Sequence, residues 1–178
     1  MHSRQFPANL FSIRSRTLML ITIAAIGKLK VGPERELFER YMTRATSVGR
    51  KLALTFTIRE STESRAASAA IRKNQESAAI VSALPAGAVL VALDETGRSI
   101  DSRAFADRLA AWRDGGAPGV TFAIGGADGH SQALTDKAAL RLAFGAMTWP
   151  HQLVRLMLAE QLYRAVTILS GHPYHRDG

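Results

Sequence analysis

The sequence predicts an α/β fold: a mostly parallel sheet with helices on both faces. Three observations carry this. Short apolar runs rich in β-branched residues recur as MLITIAAI, AVLVAL and VTFAI. Longer segments between them repeat their apolar residues at helical spacing. Gly, Pro and Asp cluster at each changeover, where turns belong. Strands alternating with helices require crossover connections, and crossovers make a parallel sheet covered on both sides.

The elements follow in order. Residues 19–26 form a continuous apolar run closed by Gly27, as a strand buried on both faces does. Gly32 and Pro33 open a helix, since proline suits the first turn. Leu37, Phe38, Tyr41, Met42 and Ala45 form its inner stripe, and Gly49 ends it. KLALTFTI (51–58) alternates, which places Leu52, Leu54, Phe56 and Ile58 on one face of a second strand. Residues 60–84 are Ala-rich and helical behind the polar front RESTESRAAS, expected as a loop. AVLVAL (88–93) is a buried strand ending at the turn signal DETG. Asp101 or Ser102 caps the next helix, with Phe105, Leu109 and Trp112 inward, and DGGAPG breaks it. VTFAI (120–124) leads into GGADGH. The spacing then predicts a short helix over 134–144, a short strand GAMTW over 145–149, and a long helix over 151–169 that stops at Gly171 and Pro173.

A chain of 178 residues suits one domain with a proper core, and neither an internal repeat nor a linker divides it. Residues 1–18 stand apart: they hold Arg4, Arg14 and Arg16 with no acid, and read as a disordered extension, with Met19 an alternative start. Residues 19–178 form the single α/β domain. The apolar run 19–27 is too short to span a bilayer, and Lys28 and Lys30 follow it, so no membrane segment is expected. Cysteine is absent, which excludes disulfides, thiolate metal sites and a Cys nucleophile, and fits a reducing cytoplasm. The five histidines are scattered without metal-ligand spacing, so no metal is expected. The sequence has no GxSxG, no GxGxxG and no GxxxxGK[ST], against hydrolase, nicotinamide and P-loop chemistry. A net charge of +8 favours a polyanionic partner, and nucleic acid is the commonest large one.

Ligands of open α/β sheets bind at the C-terminal ends of strands. Three ends are informative here. Leu93 precedes DETG. Gly125 and Gly126 open AIGGADGH, where the backbone can approach a ligand closely. FGAMTWPHQLVR offers Phe144, Met147 and Trp149 either as walls for a flat ring or as core. His151 starts the last helix, and Arg155 lies one turn on, on roughly the same face. Glu160 and Arg164 repeat that spacing as an expected surface pair. The chain closes on GHPYHR, which packs together His172, Tyr174, His175 and Arg176 as either a site component or a basic tail touching phosphates.

Taken together, LDETG, AIGGADGHS, WPHQLVRLMLAEQLYRA and GHPYHR resemble the ribosomal RNA large-subunit methyltransferase H family of the SPOUT class, the α/β-knot methyltransferases. The resemblance runs from about Met19 to Arg176 and is carried mostly by the C-terminal third. It implies transfer of a methyl group from S-adenosylmethionine to N3 of a pseudouridine in large-subunit (23S) rRNA, on the assembled ribosome. It implies a C-terminal trefoil knot and a homodimer in which each cofactor site lies beside the partner. The family's cofactor loops match Leu93, Gly125 and the stretch Phe144, Gly145, Ala146, Met147, Thr148 and Trp149. Phe144 and Trp149 stand where that family tends to carry smaller or aliphatic residues. Arg155 is the candidate cation for the acceptor's developing anion, His151 and His175 are candidate bases, and Tyr174 would stack on a base or pack in the dimer. A knot methyltransferase for another RNA such as tRNA, and a non-enzymatic RNA-binding or ribosome-assembly protein, are the competing readings.

Overall fold

The apolar runs come together in one five-stranded sheet in the order β2-β1-β4-β3-β5. The structure is a computed structural model that describes residues 18–175. The expected extension, Leu18 apart, therefore lies outside the described residues, as does Arg176. The strands are β1 (Met19–Ile26), β2 (Leu54–Ser61), β3 (Val89–Arg98), β4 (Gly119–Ile124) and β5 (Leu140–Leu142), and every pairing is parallel. Between and after them run the helices α1 (Pro33–Gly49), α2 (Ala69–Ser82), α3 (Ser102–Asp114), α4 (Gln132–Lys137) and α5 (His151–Ser170).

Both faces of the sheet are covered. On one, Ile21, Ile23, Val91 and Phe122 pack under α1, α3 and α5 through Phe38, Phe105, Leu109, Leu158 and Leu162. On the other, Ala24, Ile26, Leu90, Ala92 and Ala123 meet Ile80 of α2 and Leu134 of α4. The small residues on that second face let α2 and α4 sit close to the strand ends. Asp101 caps α3 by accepting from the Ala104 N–H, and Ser68 and Ser131 cap α2 and α4 in the same way.

Four expectations change. The second strand starts at Leu54, because residues 50–52 form a 3₁₀ turn and Ala53 turns left-handed (φ 56°). Its alternation fades outward, and Ile58 is exposed, because β2 is an edge strand paired only with β1. The DETG turn is absorbed into β3: the Asp94 carboxylate accepts from the Thr96 N–H, and the strand bulges between Leu93 and Arg98 before rejoining β5. The helix expected over 134–144 is α4 followed by β5. Leu140, Arg141 and Leu142 alternate buried, exposed, buried, which is a strand pattern too short to stand out in an Ala/Leu-rich stretch. GAMTW is a loop, not a strand: the Trp149 Nε1–H donates to Phe144 O at 3.2 Å and folds the segment back on itself.

Gly97 sits where the bulged end of β3 crosses β5. A Cβ there would lie 2.7 Å from the Arg141 carbonyl and 2.9 Å from Asp94 O, both backbone atoms that cannot step aside. Gly97→Ala is therefore expected to lower the melting temperature by several degrees, on the order of 1–2 kcal/mol. Calorimetry checks this, and an unchanged midpoint would mean that the bulge relaxes freely.

Candidate active site

The C-terminal ends of β3 and β4, together with the segment after β5, open onto one cavity of about 690 Å³. That size suits a cofactor or drug-sized ligand. Leu93, Gly125, Phe144, Gly145, Met147, Thr148, Trp149 and His151 all line it, so the structure brings together the sequence-predicted cofactor loops and one candidate base. Ala146 lies within the same loop but is not among the lining residues.

The walls are built tightly. A Cβ on Gly125 would lie 3.0 Å from the Gly129 backbone, and one on Gly126 would lie 2.7 Å from Glu76 Oε2. Gly129 and Gly145 adopt φ of 81° and 102°, where side chains are strained. The opposite rim is latched: the Thr148 hydroxyl donates to Glu95 Oε2 at 2.6 Å, and the exposed loop holding Met147 and Trp149 hangs from that contact.

Several lining residues escaped sequence reasoning. Asp94 is ion-paired with Arg141 at 3.0 Å. Burial pushes its carboxyl up, but the Thr96 amide and hydroxyl and the Arg141 guanidinium outweigh that and hold it below the usual range. Asp128 is gripped by Arg72 of α2 through two bonds of 2.6 and 3.1 Å, which holds its pKa down. His130 donates from Nε2 to Ala123 O at 3.2 Å, which leaves Nδ1 buried without a partner, and burial lowers its pKa. Lys73, also on α2, reaches the same wall. The signal for Asp128 and His130 was present in GGADGH. Nothing local marked Lys73, because its place depends on how α2 packs.

Arg155 sits elsewhere. Its side chain is 0% exposed and does not line the cavity. Its guanidinium pairs with Glu60 at 2.9 Å and donates to the carbonyls of Ile26 and Gly27. Glu60 Oε1 also accepts from the Leu29 N–H at 2.7 Å. Arg155 thus ties α5 to the ends of β1 and β2.

The tail is ordered against α5 as far as His175. Tyr174 packs on Tyr163, with ring centroids 4.6 Å apart, and its hydroxyl donates to Glu160 at 3.1 Å. Burial, with Tyr41 and Glu160 adding to it, pushes the Tyr174 phenol up, so it stays protonated at neutral pH. Glu160 also accepts from Arg164 at 2.6 Å, and Arg164 faces His175 Nδ1 at 3.3 Å. The expected surface pair is in fact the anchor of the tail. Tyr174 and His175 do not line the cavity of their own chain.

Among the described residues, no group of histidines and carboxylates could hold a metal ion, and no helix is long and apolar enough to cross a membrane.

A family profile described as "Predicted SPOUT methyltransferase" matches residues 19–175. Proteins named "Ribosomal RNA large subunit methyltransferase H" from Rhodopseudomonas palustris (strain HaA2) and Nitrobacter hamburgensis are each 58% identical over 159 residues, covering 89% of this chain and 99% of theirs. The protein of that name from Bradyrhizobium diazoefficiens is 55% identical over the same span, again covering 89% of this chain and 99% of its own. Among solved structures, the SpoU methyltransferase AviRb from Streptomyces viridochromogenes, in complex with AdoMet, aligns with 88% of this chain and 62% of its own. Its TM-score of 0.38 and 13% identity are too low for a site comparison. With its profile match spanning both the sheet and the cavity, the chain belongs to the SPOUT methyltransferase family.

Two outcomes follow from this geometry. Arg155→Ala strands Glu60 and two strand-end carbonyls, and breaking such a buried pair costs on the order of 3 kcal/mol. Urea titration should show the midpoint falling accordingly, and a loss below about 1 kcal/mol would mean that water replaces the guanidinium freely. For His130, the folded pKa lies below the unfolded value of 6.5. The unfolded chain therefore takes up the proton first, and stability falls as the pH drops from about 6.5 toward the lower folded pKa. His130→Leu should flatten that acid limb below about pH 6.5, and parallel curves for both proteins would exclude His130 as its source.

Proposed function

We propose that this chain transfers a methyl group from S-adenosylmethionine to N3 of a pseudouridine in large-subunit (23S) rRNA. It works on the assembled ribosome in the cytoplasm, as a homodimer whose C-terminal segment carries the family's trefoil knot. One observation carries the reading: a glycine-walled cavity at the strand ends, in a chain whose relatives bear the name of an rRNA large-subunit methyltransferase.

The cavity fits the cofactor. Its volume is sufficient, and the turn lines it with the bare backbone of Gly125, Gly126 and Gly129. Leu93, Gly125 and the loop Phe144, Gly145, Ala146, Met147, Thr148 and Trp149 would hold it, largely through backbone groups. When bound, the cofactor supplies a methyl group already activated on a sulfonium. The protein's task is then to align the acceptor and exclude water.

Methylation at the acceptor nitrogen would require that its proton be taken up by a group of the site. His151 lines the cavity at the first residue of α5 and is the base assigned to take that proton. Arg155 serves as a positioning residue: it fixes the ends of β1 and β2, and through Glu60 the Leu29 backbone. Tyr174 and His175 would act on the partner's cavity, presented by the Glu160–Arg164 anchor. The basic surface supplies phosphate attraction that is not sequence-specific.

The test is methyl transfer from labelled cofactor to 70S ribosomes, free rRNA, an isolated stem-loop and tRNA from cells lacking the modification, with mass-spectrometric mapping. Label at N3 of a large-subunit pseudouridine, strong on ribosomes and weak on the stem-loop, is the expected result. Label on tRNA alone would replace the substrate. Failure to bind the cofactor in calorimetry would leave a non-enzymatic RNA-binding protein.

A further inference from the structure

The charges around the cavity are lopsided. Asp94, Glu95 and Asp128 line it, and among the described residues Lys73 is the only Lys or Arg that does. Each of these carboxylates is already engaged: Asp94 by Arg141, Glu95 by Thr148, Asp128 by Arg72. Lys73 has no hydrogen bond or ion pair among the described residues, and its one electrostatic neighbour is Asp128.

Sequence and packing together explain why it stays free. Arg72 and Lys73 are consecutive on α2, both near the turn that follows β4. A forked guanidinium outcompetes an ammonium for a carboxylate in bidentate geometry. Arg72 takes both oxygens of Asp128 and also donates to Ala66 O and Ala67 O, which fixes it in place. The turn is held to α2 a second time, by the Ser131 N–H donating to Ser77 Oγ at 2.9 Å. Lys73 is thereby left half-buried at the cavity wall, a cation whose neighbouring carboxylate, Asp128, is already held by Arg72.

We infer that Lys73 binds the α-carboxylate of the cofactor's amino-acid tail, an assignment that rests on the reading of this cavity as an S-adenosylmethionine site. The cofactor carries two positive centres, the sulfonium and the ammonium, and one negative group. The engaged carboxylates suit the positive centres, and Lys73 alone complements the negative one. An anion set against an unpaired, partly buried ammonium forms a charge-assisted hydrogen bond, which is stronger than a neutral one.

The experiment is calorimetric titration of the full chain, wild type and Lys73→Met, with two probes: S-adenosylmethionine and its decarboxylated analogue, which keeps the sulfonium and the amine. The wild type should prefer S-adenosylmethionine by about tenfold. Lys73→Met should lose that preference while binding the analogue no more weakly than the wild type does, and Lys73→Arg should restore much of it. An unchanged preference in Lys73→Met overturns the assignment. Normal cofactor affinity with reduced ribosome methylation would also overturn it, and would give Lys73 to an RNA phosphate instead. If the wild type binds neither probe, the reading of the cavity itself has failed, a result distinct from both.

Discussion

The fully buried guanidinium of Arg155 joins the last helix to the first strand, and the geometry of the strand ends depends on it. A cation withdrawn from water must be repaid in hydrogen bonds, and Arg155 finds them at Glu60 and at the carbonyls of Ile26 and Gly27. Those carbonyls lie where β1 stops pairing, so they would otherwise be orphaned at a buried edge. The single contact therefore satisfies the end of β1, sets the depth of α5, and holds Glu60 where it receives the Leu29 amide. His151, four residues earlier on α5, takes its place at the cavity as a consequence.

The second constraint is steric. The sheet brings the ends of β3 and β4 to one edge, but a usable cavity also needs turns that stay out of it. Gly125 and Gly126 achieve this by packing so closely that no Cβ fits: one lies against Gly129, the other against Glu76 of α2. α2 is thus a brace as well as a crossover, touching the same turn through Glu76, Ser77 and Arg72. The small residues Ala24, Ala92 and Ala123 let it approach the sheet closely enough to do so.

The sequence made much of this readable, and the gaps have physical causes. Apolar runs identified β1, β3 and β4, because strands buried on both faces carry apolar side chains at nearly every position, with only a small Thr22 in β1 and Thr121 in β4. The edge strands were harder. β5 is three residues long, and β2 loses its alternation toward solvent, since only one neighbour constrains each. DETG carries real turn chemistry in Asp94 and Thr96, yet the strand continues through it as a bulge, an outcome decided by β5 pairing on the far side. Most of the loops that line the cavity were legible from glycines and from resemblance. Arg155 was assigned to the right helix but to the wrong surroundings, because spacing gives a face and not what the face meets.

Lys73 and the tail illustrate the same limit from opposite sides. Nothing in RKNQES distinguishes one basic residue from the next. Only the approach of α2 to the GGADGH turn decides that Arg72 is consumed and Lys73 is spared. In the tail, the chemistry was conspicuous in sequence, yet within its own chain two of its side chains are drawn onto α5: Tyr174 to Glu160, and His175 beside Arg164. Glu160 is the hub, because its carboxylate serves helix and tail at once. A tail fixed in this way, but absent from the lining of its own cavity, presents an ordered surface rather than a loose basic end. Its cost in chain entropy is met before any partner arrives, which favours an ordered role in recognition over non-specific phosphate contact.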